Sequence, residues 1–263
     1  MSLQVESIGS GAPLLLIHGW GMHGGVWKDV VQKLAIHYRV HCVDLPGYGF
    51  SKSGKGEGKR AADALDFIAD ELSSCFSEPL AVCGWSLGGQ IALRWAALEP
   101  EKVHRLILVA STPCFAERDD WSFGMEKTVL EKFAAELEIN HAATLRRFIT
   151  LQLRGSENER ELLTMLRERL LSRGEPDMEA MRSGLSILRD ADLRGELLGI
   201  TQPTLVIAGE RDKLTPPEAS RYMAQTIPGA SLIEVKGAAH APFLSHPDEF
   251  VMQLKIFMGS QTN

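Results

Sequence analysis

The 263-residue chain is 44% hydrophobic and 24% charged, with a formal net charge of −6. That length supports a sizeable core, the acidic balance argues against nucleic-acid binding, and the longest apolar runs are strand-sized, too short to span a membrane. The four cysteines show no Cys-x-x-Cys spacing and the N-terminus lacks a signal-peptide pattern, so free thiols in a reducing cytoplasm are expected, with no disulfide and no metal site.

Residues 3–8 alternate weakly and meet the turn Gly9-Ser10-Gly11. The continuous apolar run 14–17 follows, and the two are expected to form an opening antiparallel pair. Val26, Trp27, Val30, Val31 and Leu34 recur at helical spacing, which predicts a helix over 25–35. A strand at 40–43 ends in Asp44-Leu45-Pro46-Gly47, and 51–60 reads as an exposed loop rich in Ser, Gly and Lys. A helix over 61–76 leads to the apolar run 80–83. Next comes Gly84-Trp85-Ser86-Leu87-Gly88, and helix formers run from Ile91 to Leu98. A serine flanked by glycines between strand and helix has the pattern of a nucleophile elbow.

After a strand at 105–110 the alternation stops. Helical patterns cover 124–138, 141–153, 157–172 and 177–188 before a strand resumes at 203–209. A helix at 216–226, a strand at 231–236 and a helix at 247–258 close the chain. The pattern predicts an α/β fold, a mostly parallel doubly wound sheet with an inserted helical cap. The expected division is a core of 1–111 and 190–263 with the cap at 112–189.

A serine hydroxyl needs a base and a group that orients the base. Reactive residues of such sheets sit past the C-terminal ends of strands. That filter selects Ser86, Asp212 in Gly209-Glu210-Arg211-Asp212, and His240 in Ala238-Ala239-His240, with Glu210 as the rival acid. Their order is nucleophile, acid, base, as in α/β hydrolases. The oxyanion would take the N–H of Leu87 and one from His18-Gly19-Trp20-Gly21, with Trp20 placed for it. His18 and Asp44 read as loop-organising residues. No organic cofactor is expected. Trp85, Phe115, Trp121, Phe148 and Leu151 are candidate linings of an apolar channel under the cap.

Gly-Trp-Ser-Leu-Gly-Gly at 84–89, Ala-Ser-Thr-Pro-Cys-Phe at 110–115, Arg-Phe-Ile-Thr-Leu-Gln at 147–152 and Ala-Ala-His-Ala-Pro-Phe-Leu-Ser-His-Pro at 238–247 together resemble the pimeloyl-acyl-carrier-protein methyl ester esterases of biotin synthesis. The resemblance implies the triad Ser86, Asp212 and His240. It also implies substrate contacts at Trp20, Ser86, Leu87, Phe148, Ile149, Thr150, Leu151, Gln152 and His240. The implied partner is an acyl carrier protein bearing the esterified chain. That partner is acidic, and 146–173 carries seven arginines against four glutamates. Arg146, Arg147, Arg154, Arg160 and Arg167 are therefore expected to dock the carrier, although Ala143 and Thr164 stand where the family places arginine. The chain is expected to act as a monomer and to accept small esters. The same triad also suits a short-chain carboxylesterase or a carbon–carbon bond hydrolase, and a ligand receptor could keep the fold without turnover.

Overall fold

The computed structural model describes residues 3–53 and 61–259. Seven strands, β1 (Gln4–Ile8), β2 (Ala12–Ile17), β3 (Tyr38–Asp44), β4 (Leu80–Trp85), β5 (Val103–Val109), β6 (Thr204–Gly209) and β7 (Ser231–Val235), form one sheet. Its order is β1-β3-β2-β4-β5-β6-β7, and only β1 with β3 is antiparallel. Leu14 to Ile17 of β2 and all of β4 are buried, as expected of parallel strands covered on both faces. The covering helices are α1 (Lys28–Leu34), which packs on α10 (Pro247–Gly259), and α2 (Ala61–Cys75), which packs on α3 (Leu87–Leu98). The loop predicted over 51–60 falls mostly on 54–60, outside the described residues.

The expected pairing of the first two strands is wrong. β1 pairs with β3, and β3 lies between β1 and β2. The Gly9-Ser10-Gly11 turn crosses the start of β3 rather than closing a hairpin. Gly9 has φ +86°, and a Cβ there would lie 2.4 Å from the carbonyls of Ala35 and Tyr38. The helix predicted over 25–35 divides into a 3-10 turn, Gly24–Trp27, and α1. Side chains cap the tighter turn: Gly25 N–H donates to His23 Nδ1 and Gly24 N–H to Asp44 Oδ1.

Four helices lie between β5 and β6: α4 (Lys127–Ile139), α5 (His141–Leu153), α6 (Glu159–Leu171) and α7 (Met178–Asp190). Asn140 caps α5 through Ala143 N–H, and Asp177 caps α7 through Glu179 N–H. The first three pack in series, while α7 packs against α2, α3 and α4. The end of α6 is pinned to the core. Arg173 donates to both oxygens of Asp44 at 3.0 Å and to Glu6 at 2.6 Å. Arg169 donates to Val26 O at 2.8 Å and pairs with Asp29, while its own carbonyl accepts from His23 Nε2. Beyond β6 come α8 (Pro217–Thr226), β7 and a four-residue α9 (Pro242–Ser245), which the sequence pattern did not separate from its loop.

The strands wind outward in opposite directions from β2 and β4, so a crevice opens where the loops after these two strands meet. Register keeps those ends level: Ile17 faces Gly84, and Gly84 faces Leu108.

Candidate active site

Ser86 sits between β4 and α3 with φ 56° and ψ −118°, a conformation costly for a residue with a side chain. Its surroundings hold it there. Ser86 N–H donates to Val109 O at 3.0 Å, and Ser86 O accepts from Ser111 Oγ at 2.8 Å and Gly89 N–H at 2.9 Å. Neither flanking glycine has positive φ; both are required by close approach. A Cβ on Gly84 would lie 2.1 Å from Gly88 O, and one on Gly88 would lie 2.5 Å from Ile17 O. The elbow thus brings the start of α3 directly against the end of β2.

His240 follows β7. Its Nδ1 lies 2.8 Å from Asp212 Oδ2, with Nδ1–H as donor to the carboxylate. Three further donors orient that carboxylate: Leu214 N–H at 2.8 Å and Thr215 N–H at 3.0 Å on Oδ1, and Thr215 Oγ at 2.7 Å on Oδ2. Thr215 was not singled out in the sequence, although a threonine three residues after an aspartate at a strand end is a signal for such a turn. Glu210, the rival acid, instead accepts from Gly237 N–H at 2.9 Å and is exposed. The His240 backbone is clamped on both sides: its N–H donates to Gln152 O at 3.1 Å and its carbonyl accepts from Trp85 Nε1 at 2.7 Å. The outer ring nitrogen, Nε2, is buried without a hydrogen-bond partner. An imidazole oriented at one nitrogen and unengaged at the other is equipped to take a proton.

The loop after β2 borders the elbow, since a Cβ on Gly19 would lie 3.2 Å from Ser86 Cβ. His18 organises this loop. Its Nε2 accepts from Leu45 N–H at 3.0 Å and its Nδ1 donates to Gly19 O at 2.8 Å. Burial lowers its pKa to about 4, so the ring is neutral in this role. Asp44 is fully buried as a side chain. Burial alone would raise its pKa, but the Phe50 and Gly24 N–H groups, His18 and Arg173 outweigh burial and hold it below the usual carboxylate range. Leu87 opens α3, whose leading N–H groups have no acceptor inside the helix.

The cap residues are distributed unevenly. The Phe148 ring packs edge-on to Trp20 at 4.9 Å, and Phe133 joins both rings. Gln152 is buried beside His240, and its side-chain Oε1 has no partner. Ile149 is fully buried and Leu151 half-buried, whereas Thr150 bonds Arg146 O within its own helix. Three of the five expected channel linings are enclosed by other side chains. Trp85 is a floor beneath His240, packed on Phe243 and Trp27. Trp121 packs with Phe123 and Tyr222, and its Nε1 donates to Cys114 O. Phe115 is 2% exposed and belongs to the main core. Apolar identity marked these side chains as buried but not which surface buries them.

Arg146, Arg154, Arg160 and Arg167 are exposed, with no side-chain partner among the described residues. Arg147 pairs with Glu136 and lies 5.6 Å over the Phe133 ring. Arg169 and Arg173 turn inward, so the arginine excess counted over 146–173 is only partly a surface charge.

Residues 12–247 match the family model described as the alpha/beta hydrolase fold. A protein of Nitrosomonas europaea named pimeloyl-[acyl-carrier protein] methyl ester esterase is 45% identical over 95% of this chain and 97% of its own. One of the same name from Nitrosospira multiformis is 40% identical over 98% of both chains. Among solved structures, an esterase from Exiguobacterium antarcticum superposes with a TM-score of 0.88 at 25% identity, covering 98% of this chain and 96% of that one.

Proposed function

This chain belongs to the alpha/beta-hydrolase family, and from that premise we propose that it is a serine carboxylesterase that hydrolyses the methyl ester of a pimeloyl chain borne on acyl carrier protein. The resemblance places this step in biotin synthesis, releasing pimeloyl-carrier protein and methanol. Residues 1–111 and 190–263 form the catalytic core in this reading and 112–189 the cap. No helix of the described residues is long and apolar enough to cross a membrane. In this reading the chain acts in the cytoplasm as a monomer.

Ser86 Oγ attacks the ester carbonyl while His240 Nε2 takes its proton. The oxyanion so formed lies between the N–H groups of Trp20 and Leu87. Asp212 orients the ring and stabilises the imidazolium. Collapse expels methoxide, which takes the proton from His240 and leaves as methanol. Water then attacks the acyl-serine, giving its proton to His240. The second collapse returns that proton to Ser86 and frees the carboxylic acid, which gives its remaining proton to solvent.

The observation that carries the reaction type is the 2.8 Å contact of Asp212 with His240, whose other nitrogen is unengaged, in a fold that puts a strained serine past the end of β4, a parallel strand of the same sheet. The curated relatives support the substrate. The free cap arginines suit an acidic carrier. Arg146 and Arg167 also flank a cavity of about 120 Å³ in the cap floored by Leu145, Leu170, Met178 and Met181.

The test compares methyl pimeloyl-carrier protein with free short-chain methyl esters. The proposal expects kcat/KM to favour the carrier-borne ester by about 10²-fold or more, as remote binding energy allows. Equal rates on both would leave a generalist carboxylesterase in its place.

A further inference from the structure

Gly184 lies in the interior of α7, where a glycine weakens a helix relative to alanine. Its φ is not positive, so the backbone does not require it. Its surroundings do. A Cβ at Gly184 would lie 2.7 Å from Trp20 Cδ1, 2.9 Å from Tyr48 Oη and 3.2 Å from Leu87 Cδ2. Two of these three belong to the residues whose N–H groups face the oxyanion in the mechanism above.

Two hydrogen bonds straddle the same point. Trp20 Nε1 donates to Met181 O at 2.9 Å, and Tyr48 Oη donates to Ala180 O at 3.0 Å. By helix geometry these carbonyls are also the acceptors for Leu185 and Gly184 N–H. Tyr48 in turn packs edge-on against His18 at 5.2 Å, and His18 bonds Gly19 O. The loop carrying Trp20 is therefore held from the core side by His18 and from the cap side by one turn of α7. At that turn the helix has no side chain.

We propose that Gly184 is a positioning residue: its missing side chain lets α7 seat directly on Trp20, Tyr48 and Leu87 and so holds the two oxyanion donors in place. This rests on the assignment of Trp20 and Leu87 to the oxyanion hole. A methyl group at 184 displaces the Trp20 indole, the Leu87 side chain or α7 itself. The first two shift a donor, and the third strains both tethers. The oxyanion exists only in the transition state, so the loss from a displaced donor falls on kcat.

The experiment compares wild type, Gly184→Ala and Tyr48→Phe on p-nitrophenyl butyrate, with inhibition by an alkyl trifluoromethyl ketone. The Ser86 hemiketal of that ketone carries an oxyanion, so its Ki reports the donors directly. Removing one donor outright costs about 10²- to 10³-fold, and displacing one should lower kcat of Gly184→Ala at least tenfold. KM should stay within about twofold, and Ki should rise in step with kcat. Tyr48→Phe removes one tether without adding volume and should lose about threefold in kcat with the same pattern. A folded Gly184→Ala with wild-type kcat and Ki overturns the proposal. If that variant does not fold, wild-type kcat and Ki in Tyr48→Phe overturn it. Ser86→Ala is assayed alongside: turnover persisting there defeats the serine mechanism itself, a failure distinct from that of Gly184.

Discussion

The sheet edge and the cap solve different problems. At the sheet edge the proposed triad residues are held by short, buried, mostly backbone contacts. Ser86 hangs between Val109, Gly89 and Ser111, and Asp212 accepts four hydrogen bonds. In the cap, four of the five arginines expected to meet the partner, Arg146, Arg154, Arg160 and Arg167, are exposed and have no side-chain partner among the described residues. The first arrangement suits chemistry, which needs sub-ångström placement whatever the substrate. The second suits recognition of a charged macromolecule, which needs field and adaptability more than fixed contacts. Changes at the sheet edge should therefore damage all substrates equally, and changes on the cap surface only the carrier-borne one.

The largest effect should come from Ser86→Ala, with kcat on every ester falling by about 10⁵-fold or more and no loss of thermal stability. Steady-state assays and a melting curve check both halves. Asp212→Asn keeps the shape of the site but disturbs the histidine tautomer, and kcat should drop about 10⁴-fold on carrier-borne and free esters alike. Unequal losses on the two substrates would blur the line between the regions.

Arg173 joins the regions. Arg173→Ala leaves the Asp44 carboxylate, fully buried, without its guanidinium, and should destabilise the fold by about 3–5 kcal/mol in urea titration. Next in size is a pH effect. His18 is neutral in the fold with a pKa of about 4, while the unfolded chain binds a proton near 6.5. Its contribution is complete above pH 6.5 and is lost as pH falls toward 4, by up to about 3 kcal/mol. Melting temperatures across that range should fall with pH, and His18→Asn should flatten the slope.

Much of the sheet edge was legible because its signals are local. Glycine pairs, apolar runs and a polar residue just past a strand single out Ser86, Asp212 and His240 as the proposed triad without knowledge of the fold, and the structure sets Asp212 2.8 Å from His240. Choosing Asp212 over Glu210 depends on Thr215, whose hydroxyl closes the turn onto the carboxylate. Strand order was less legible. A Gly-Ser-Gly turn reads alike whether it closes a hairpin or crosses a third strand, and only the approach of Gly9 to Ala35 and Tyr38 distinguishes the two. The cap was the least legible region. Counting arginines could not separate Arg169 and Arg173, drawn inward by acids more than a hundred residues away, from Arg160 and Arg167 on the surface. Gly184 carried no signal at all, since nothing nearby in sequence says that Trp20 and Leu87 lie beneath it.

The division between the regions is tested most directly by reversing cap charge, in the double variant Arg146→Glu/Arg167→Glu. The quantity to measure is the ratio of kcat/KM for methyl pimeloyl-carrier protein to that for a free methyl ester. The account predicts that the ratio falls by about tenfold or more, with the free-ester value unchanged. An unchanged ratio, or an equal loss on both substrates, would contradict it.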